Sequence, residues 1–213
     1  MKIQMKLFTH LFALFTRRRY CTRLFIYIND FVHELEKKWG GVTFPTRTIH
    51  ALLFADDLVL LAPDPINLQQ KIDQLSDFAG KNGLKVNLSK TKVMIFRKGG
   101  RLRKCDSFSY QKKPVEVVNS YCYLGVSFHN TGKFKKTAVE FKNKGMSAVG
   151  QVLAILYKFK IISLSSSKFI FRALAESCTL YCVSVWGHGN EDEIEKIQTG
   201  FYKRLYFLTT RTP

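Results

Sequence analysis

The spacing of apolar residues along this chain changes once, near residue 130. Before that point most apolar runs have the length of strands. Residues 51–54 (ALLF) and 58–62 (LVLLA) are two such runs, and Ala55, Asp56 and Asp57 between them suit a tight connection. Leu84, Val86 and Leu88 alternate with polar neighbours as on a half-buried strand, and residues 93–96 supply another. Residues 115–128 are rich in strand formers, with Gly125 marking a bulge or a close backbone approach. Two helical stretches interrupt this pattern. One covers residues 24–32 and is followed by a turn at 40–45. The other starts where Asp64 can cap it and Pro65 can occupy its first turn. Its apolar stripe is Leu68, Ile72, Leu75 and Ala79, and Gly80 and Gly83 can end it. Beyond Gly132 the period is helical: Phe134, Ala138, Phe141, Ala148, Val152, Ile155 and Phe159 share one spacing. Residues 165–184 and 191–208 read as two further helices. In the last, Ile194, Ile197, Phe201, Leu205 and Leu208 line one face, Asn190 can cap it, and Glu191, Asp192 and Glu193 favour its first turn. The pattern predicts an α+β fold, with mixed strands and helices first and an all-helical region after them.

Composition narrows the class. A chain of 213 residues, 46% hydrophobic, can bury a sizeable core in one or two domains, which excludes a disordered chain. Thirty-four basic against 16 acidic residues leave a net charge of +18, which points to a polyanionic partner, nucleic acid above all. Residues 78–105 carry nine lysines and arginines and no acidic residue, and 97–104 form a basic, glycine-containing turn. Tyr121, Tyr123, Phe128 and Phe134 follow, and aromatic side chains among bases can stack nucleotides. The five cysteines have no framework spacing and suit reduced intracellular thiols. Cys178, Cys182 and His188 lack a second ligand pair nearby, so the cysteines read as helix packing rather than a zinc site. No apolar run is long enough to span a membrane. Residues 1–23 hold no acidic residue, and Arg17, Arg18 and Arg19 follow a short apolar run. With no small-residue cleavage pattern, they read as an ordinary helix or an unrelated leader.

The candidate chemistry sits in HALLFADDLVLLA, residues 50–62. Two adjacent carboxylates at about 4 Å repel by roughly 4 kcal/mol at an effective dielectric of about 20. Water at a turn, a cation or a metal ion must offset that. A solvated Asp-Asp turn is one reading. A pair of carboxylates binding a hard cation such as magnesium at the tip of a rigid hairpin is the other.

The ordered series FIYINDF, LLFADDLVLLA, LQQKIDQLSDFAGKNGLKVNLSKTKVMIF, YCYLGVSF, LYCVSVWG and IEKIQTGFYKRL, across residues 24–213, resembles the reverse transcriptases of non-LTR (LINE-like) retrotransposons. The resemblance implies a leader at 1–23 unrelated to the family, a partial polymerase palm at 24–130 and a helical, thumb-like region at 131–213. It makes Asp56 and Asp57 the catalytic, magnesium-binding carboxylates of two-metal phosphoryl transfer. Phe54 takes the aromatic position of the FADD box. Lys90 matches the lysine proposed to protonate pyrophosphate, with Lys85 and Lys92 as rivals. Tyr123, Leu124 and Gly125 match the hairpin that grips the primer end. Arg97, Lys98, Arg101, Arg103 and Lys104 are expected to contact nucleic acid, and the partners implied are the RNA and DNA of a template–primer.

The departures carry equal weight. The family's first palm motif holds another essential aspartate. Before Asp64 this chain has only Asp30, Asp56 and Asp57, and Asp30 belongs to YINDF rather than to that motif. The glycine-glutamine segment expected before FIYIND is replaced by FTRRRYCT. The expectation is therefore a truncated reverse transcriptase domain that does not polymerise alone. The alternatives are a non-catalytic basic nucleic-acid-binding remnant and a translated pseudogene.

Overall fold

The computed structural model describes residues 4–13, 21–97, 106–161 and 163–208. The chain divides into two compact units, one of Met1–Tyr123 with His129–Gly132, the other of Leu124–Phe128 with Lys133–Pro213.

The first unit is built on a seven-stranded sheet. Its strands are β1 (Gln4–Ala13), β4 (Ala51–Phe54), β5 (Asp57–Ala62), β6 (Leu84–Val86), β7 (Lys92–Phe96), β8 (Phe108–Tyr110) and β9 (Lys113–Val118). The order is β4-β5-β1-β7-β9-β8, with β6 also paired to β1. β1 is antiparallel to β5 from Met5 opposite Ala62 to His10 opposite Asp57. Its other edge takes β7 along Gln4–Phe8 and β6 along Leu11–Ala13. Residues 4–13 are thus a central strand, where the sequence suggested an ordinary helix or a leader unrelated to the family; the pairing overturns the helix. Isolated apolar periodicity does not distinguish the two, and the open edges of β5 and β7 decide it. β2 (Val42–Thr43) and β3 (Thr48–Ile49) form a separate short hairpin.

Helices α1 (Cys21–Lys38) and α2 (Pro65–Lys81) carry the apolar faces that join this sheet in one core. α2 starts as its sequence dictates: Asp64 accepts a hydrogen bond from the Asn67 N–H at 2.8 Å, and Pro65 follows it. Leu68, Ile72, Leu75 and Ala79 are all buried. Leu68, Ile72 and Leu75 share a core with Leu58 and Leu60 of β5, Val93 and Ile95 of β7, and Ile28, Phe31 and Leu35 of α1. Lys71, on the same stripe, is fully buried too, and its Nζ donates to the Leu61 carbonyl at 2.7 Å. Burial lowers its pKa from 10.5 to about 8. The neighbouring His50 is pushed down by burial first and by the positive charge of Lys71 second.

β10 (Ser120–Tyr123) and β11 (Val126–His129) form a hairpin. Apart from Leu124–Phe128, the second unit is helical. It contains α3 (Lys135–Lys158), α4 (Leu164–Phe171), α5 (Ser177–Thr179), α6 (Val183–Trp186) and α7 (Glu191–Leu205). The single helix expected over 165–184 is broken. A π-helical stretch covers Arg172–Glu176, and Cys182 takes a left-handed φ of 52°. Ser177 and Thr179 return their hydroxyls to the Ala173 and Ala175 carbonyls, each at 2.7 Å, which competes with regular helix bonding there. Phe171 stacks on Phe201, and Phe141 on Trp186. Glu193 takes Lys142 and Lys196, each at 2.7 Å, and these bonds hold its carboxyl down to about 2. Asn190 stands at the α7 N-terminus without a side-chain cap bond, and its amide donates instead to the Trp186 carbonyl at 2.9 Å. Cys178 is exposed and Cys182 half-buried, so helix packing describes only the second. No helix among the described residues is long and apolar enough to cross a membrane.

Candidate functional site

The FADD segment folds as a two-residue hairpin. β4 ends at Phe54, β5 begins at Asp57, and these two residues pair. Only Ala55 and Asp56 remain in the turn, one residue fewer than the sequence suggested. Ala55 has a φ of 53°, and a positive φ at the first turn position matches the type II′ geometry whose twist suits a hairpin. Alanine there costs about 1 kcal/mol relative to glycine. The turn fixes the two carboxylates differently. Asp56 is at the tip and exposed, whereas Asp57 lies in the strand and is half-buried. Phe54 beside them is 59% exposed.

Two other sequence motifs converge on this tip. Burial raises the pKa of Tyr121 and of Tyr123, and the negative charge of Asp57 raises both further. The YCY strand therefore lies within the electrostatic reach of the second aspartate. Tyr121 also donates to the Lys90 carbonyl, at 3.4 Å. Lys90 is exposed, in a turn that Asn87 organises by accepting from the Ser89 and Lys90 N–H groups at 3.0 and 3.3 Å. Its rivals separate by environment. Lys92 is held by Glu116 at 2.5 Å, and Lys85 is exposed on β6. Leu124 and Gly125, both with positive φ, make the two-residue turn after Tyr123. Tyr181 packs against Gly125 and donates to the Leu124 carbonyl at 2.9 Å. Gly125 is a tight turn with a close neighbour, rather than a bulge. Tyr181 gave no local signal in the sequence, being 57 residues from the carbonyl it binds.

Arg97 is half-buried, and its N–H donates to the Asn130 carbonyl at 2.9 Å. Lys98, Arg101, Arg103 and Lys104 lie outside the described residues. A two-ion magnesium centre needs several oxygen donors around both ions. Among the described residues no group of three or more His, Cys, Asp or Glu side chains is placed to hold a metal ion. β1, the strand beside β5, reads QMKLFTHLFA and contains no carboxylate. The donors at the tip do not fit such a centre.

The reverse transcriptase (RNA-dependent DNA polymerase) family matches residues 23–128, which include the FADD hairpin, the Lys90 turn and the Tyr121–Gly125 segment. This chain carries part of a reverse transcriptase of the non-LTR retrotransposon kind. It is similar to a retrovirus-related Pol polyprotein from type-1 retrotransposable element R2 of Bradysia coprophila, with 29% identity over 92 residues, 39% of this chain and 11% of that protein. A putative 115 kDa protein in type-1 retrotransposable element R1DM of Drosophila melanogaster is 26% identical over 159 residues, 73% of this chain and 16% of the relative. The retrovirus-related Pol polyprotein from type-2 retrotransposable element R2DM of the same fly is 30% identical over 108 residues, 47% of this chain and 10% of its own length. This reverse transcriptase segment thus spans between about a tenth and a sixth of these curated relatives.

Proposed function

We propose that this reverse transcriptase segment, taken alone, binds the RNA–DNA template–primer and does not extend it. The β1–β5 register supports the second half of that statement. It seats a strand without a carboxylate directly beside the FADD hairpin, with His10 opposite Asp57. Two adjacent aspartates on one turn supply too few ligands to clamp two ions for in-line displacement. An exposed Lys90 acts as a general acid only on a reaction already assembled. The binding half rests on the net charge of +18 and on the family's substrates. Tyr123, Leu124 and Gly125 are the residues proposed to meet the primer end, and Asp56 is the residue proposed to take a magnesium ion, weakly.

The test is primer extension on an RNA template with magnesium or manganese, beside an Asp56→Ala, Asp57→Ala control and a binding titration on the same heteroduplex. Binding without extension is expected. Extension by the parent chain that disappears in the double variant overturns the proposal and requires a further carboxylate, with Asp30 and Asp64 the first to mutate.

A further inference from the structure

The helical unit has an open groove of about 460 Å³ where the C-terminal ends of α3 and α7 meet the start of α4. Tyr157, Lys160, Leu164, Tyr206 and Phe207 are among its lining residues. Its aromatic rings face solvent to a degree that core packing does not explain: Tyr157 is 51% exposed, Tyr206 51% and Phe207 81%, with Phe159 beside them at 65%. Tyr157 and Phe207 lie 6.1 Å apart, and Tyr202 stacks on Tyr206.

Both helices end in the same way. The Ile161 N–H bonds the Leu156 carbonyl, and the Leu208 N–H bonds the Lys203 carbonyl. The residues at the bend, Lys160 and Phe207, have φ of 51° and 57°. Glycine is the usual residue at this position, because a side chain there is strained. Here the strained positions hold a cation and a highly exposed ring, and strain of this kind gathers at binding sites.

Charge selects the occupant. Neither residues 141–175 nor residues 196–213 contain an aspartate or glutamate. Lys160 lines the groove, and Lys158, Lys203 and Arg204 lie within two residues of its lining residues in the sequence. The two helix C-termini carry partial negative charge, so the floor disfavours phosphate and suits flat, neutral groups. The segments that flank the groove carry only positive charges. We propose that this groove is a stacking site for unpaired bases of single-stranded nucleic acid, with the backbone phosphates held at the lysine and arginine rim. The proposal rests on the nucleic-acid-binding reading above and adds to it a second, single-strand-specific site in the helical unit.

The experiment compares the whole chain with a Tyr157→Ala, Phe207→Ala variant on three probes: an oligouridylate, an abasic ribose-phosphate oligomer of equal length, and an RNA–DNA heteroduplex. Oligouridylate affinity is expected to fall about tenfold or more in the variant, the scale of losing base stacking, with heteroduplex affinity unchanged. The abasic oligomer is expected to bind the parent about as weakly as oligouridylate binds the variant. A Tyr157→Phe, Phe207→Trp variant, which keeps both rings, is expected to retain parental affinity and so separates stacking from misfolding. Equal oligouridylate affinity in parent and alanine variant overturns the groove, as does equal parental affinity for base-bearing and abasic oligomers. Loss of self-association in the alanine variant with oligouridylate binding intact overturns it in favour of a protein-docking face. If heteroduplex binding persists in these cases, the template–primer proposal stands. Failure of the parent to bind any of the three probes overturns both.

Discussion

Lys71 shows how one side chain sets a pH dependence. It sits between Leu68, Ile72 and Leu75 on the buried stripe of α2, with one hydrogen bond to the Leu61 carbonyl. Its folded pKa of about 8 lies below the ordinary 10.5. Below pH 8 the ammonium is charged in both folded and unfolded chains, and the cost of burying it is fully present. Between about 8 and 10.5 the unfolded chain holds more protons than the folded one, so stability from this group rises with pH. Urea denaturation across pH 7 to 10 is expected to show the Lys71→Met variant losing its advantage over the parent as pH rises. The gap closes by up to about 1.4 kcal/mol per pH unit. A constant gap counts against a buried, charged Lys71. The helical stripe was legible in the sequence because Leu68, Ile72 and Leu75 repeat at helical spacing. That Lys71 belongs to the stripe follows from the same spacing, but its charge argued for the solvent side. At the candidate site, Asp56 and Asp57 were readable as a pair. Their unequal exposure was not, because it depends on which of them the turn consumes.

In α3, Gly145 leaves no room for a side chain. A Cβ placed there would collide with the Thr179 side chain and meet Ile197 Cδ1 at 3.0 Å. Thr179 and Ile197 are both buried, so neither has space to give. Alanine normally gains about 1 kcal/mol over glycine inside a helix. At Gly145 overpacking is expected to exceed that gain, leaving Gly145→Ala less stable by about 1–2 kcal/mol in chemical denaturation. A more stable variant counts against this packing. The period of α3 was evident from its apolar residues, but the reason for its glycine was not, since the partners come from α5 and α7. The π-helical stretch was equally hidden. Serine and threonine at 177 and 179 are ordinary in a sequence, and only their bonds back to carbonyls reveal the change in winding. β1 is the largest case. Its position is fixed by pairing with strands more than forty residues away, which local periodicity does not report.

At the level of the whole molecule, a net charge of +18 is expected to govern the proposed association with nucleic acid more than any single residue does. Heteroduplex affinity is expected to fall steeply between low and physiological salt as counterions are released. Removing the charges of Arg97, Lys98, Arg101, Arg103 and Lys104 together is expected to flatten the log–log salt slope by as much as about 4, whereas Asp56→Ala leaves the slope unchanged. A salt-independent affinity in the parent excludes a binding mode dominated by phosphate contacts. The sign and size of the charge were legible from composition alone. Its placement was not, since four of those five residues lie outside the described structure. The central position of β1 also has a consequence for synthesis. This strand leaves the ribosome before any of β5, β6 and β7, and Ala62 at the end of β5 follows Ala13 only after 49 further residues. At about 5–20 residues per second that is a delay of roughly 2–10 s. During that time a ten-residue strand with both edges unpaired is exposed to other nascent chains. Recovery of soluble protein is therefore expected to depend on translation speed and on chaperones that hold extended apolar segments, a dependence set by the order of strands in the chain rather than by the stability of the finished sheet.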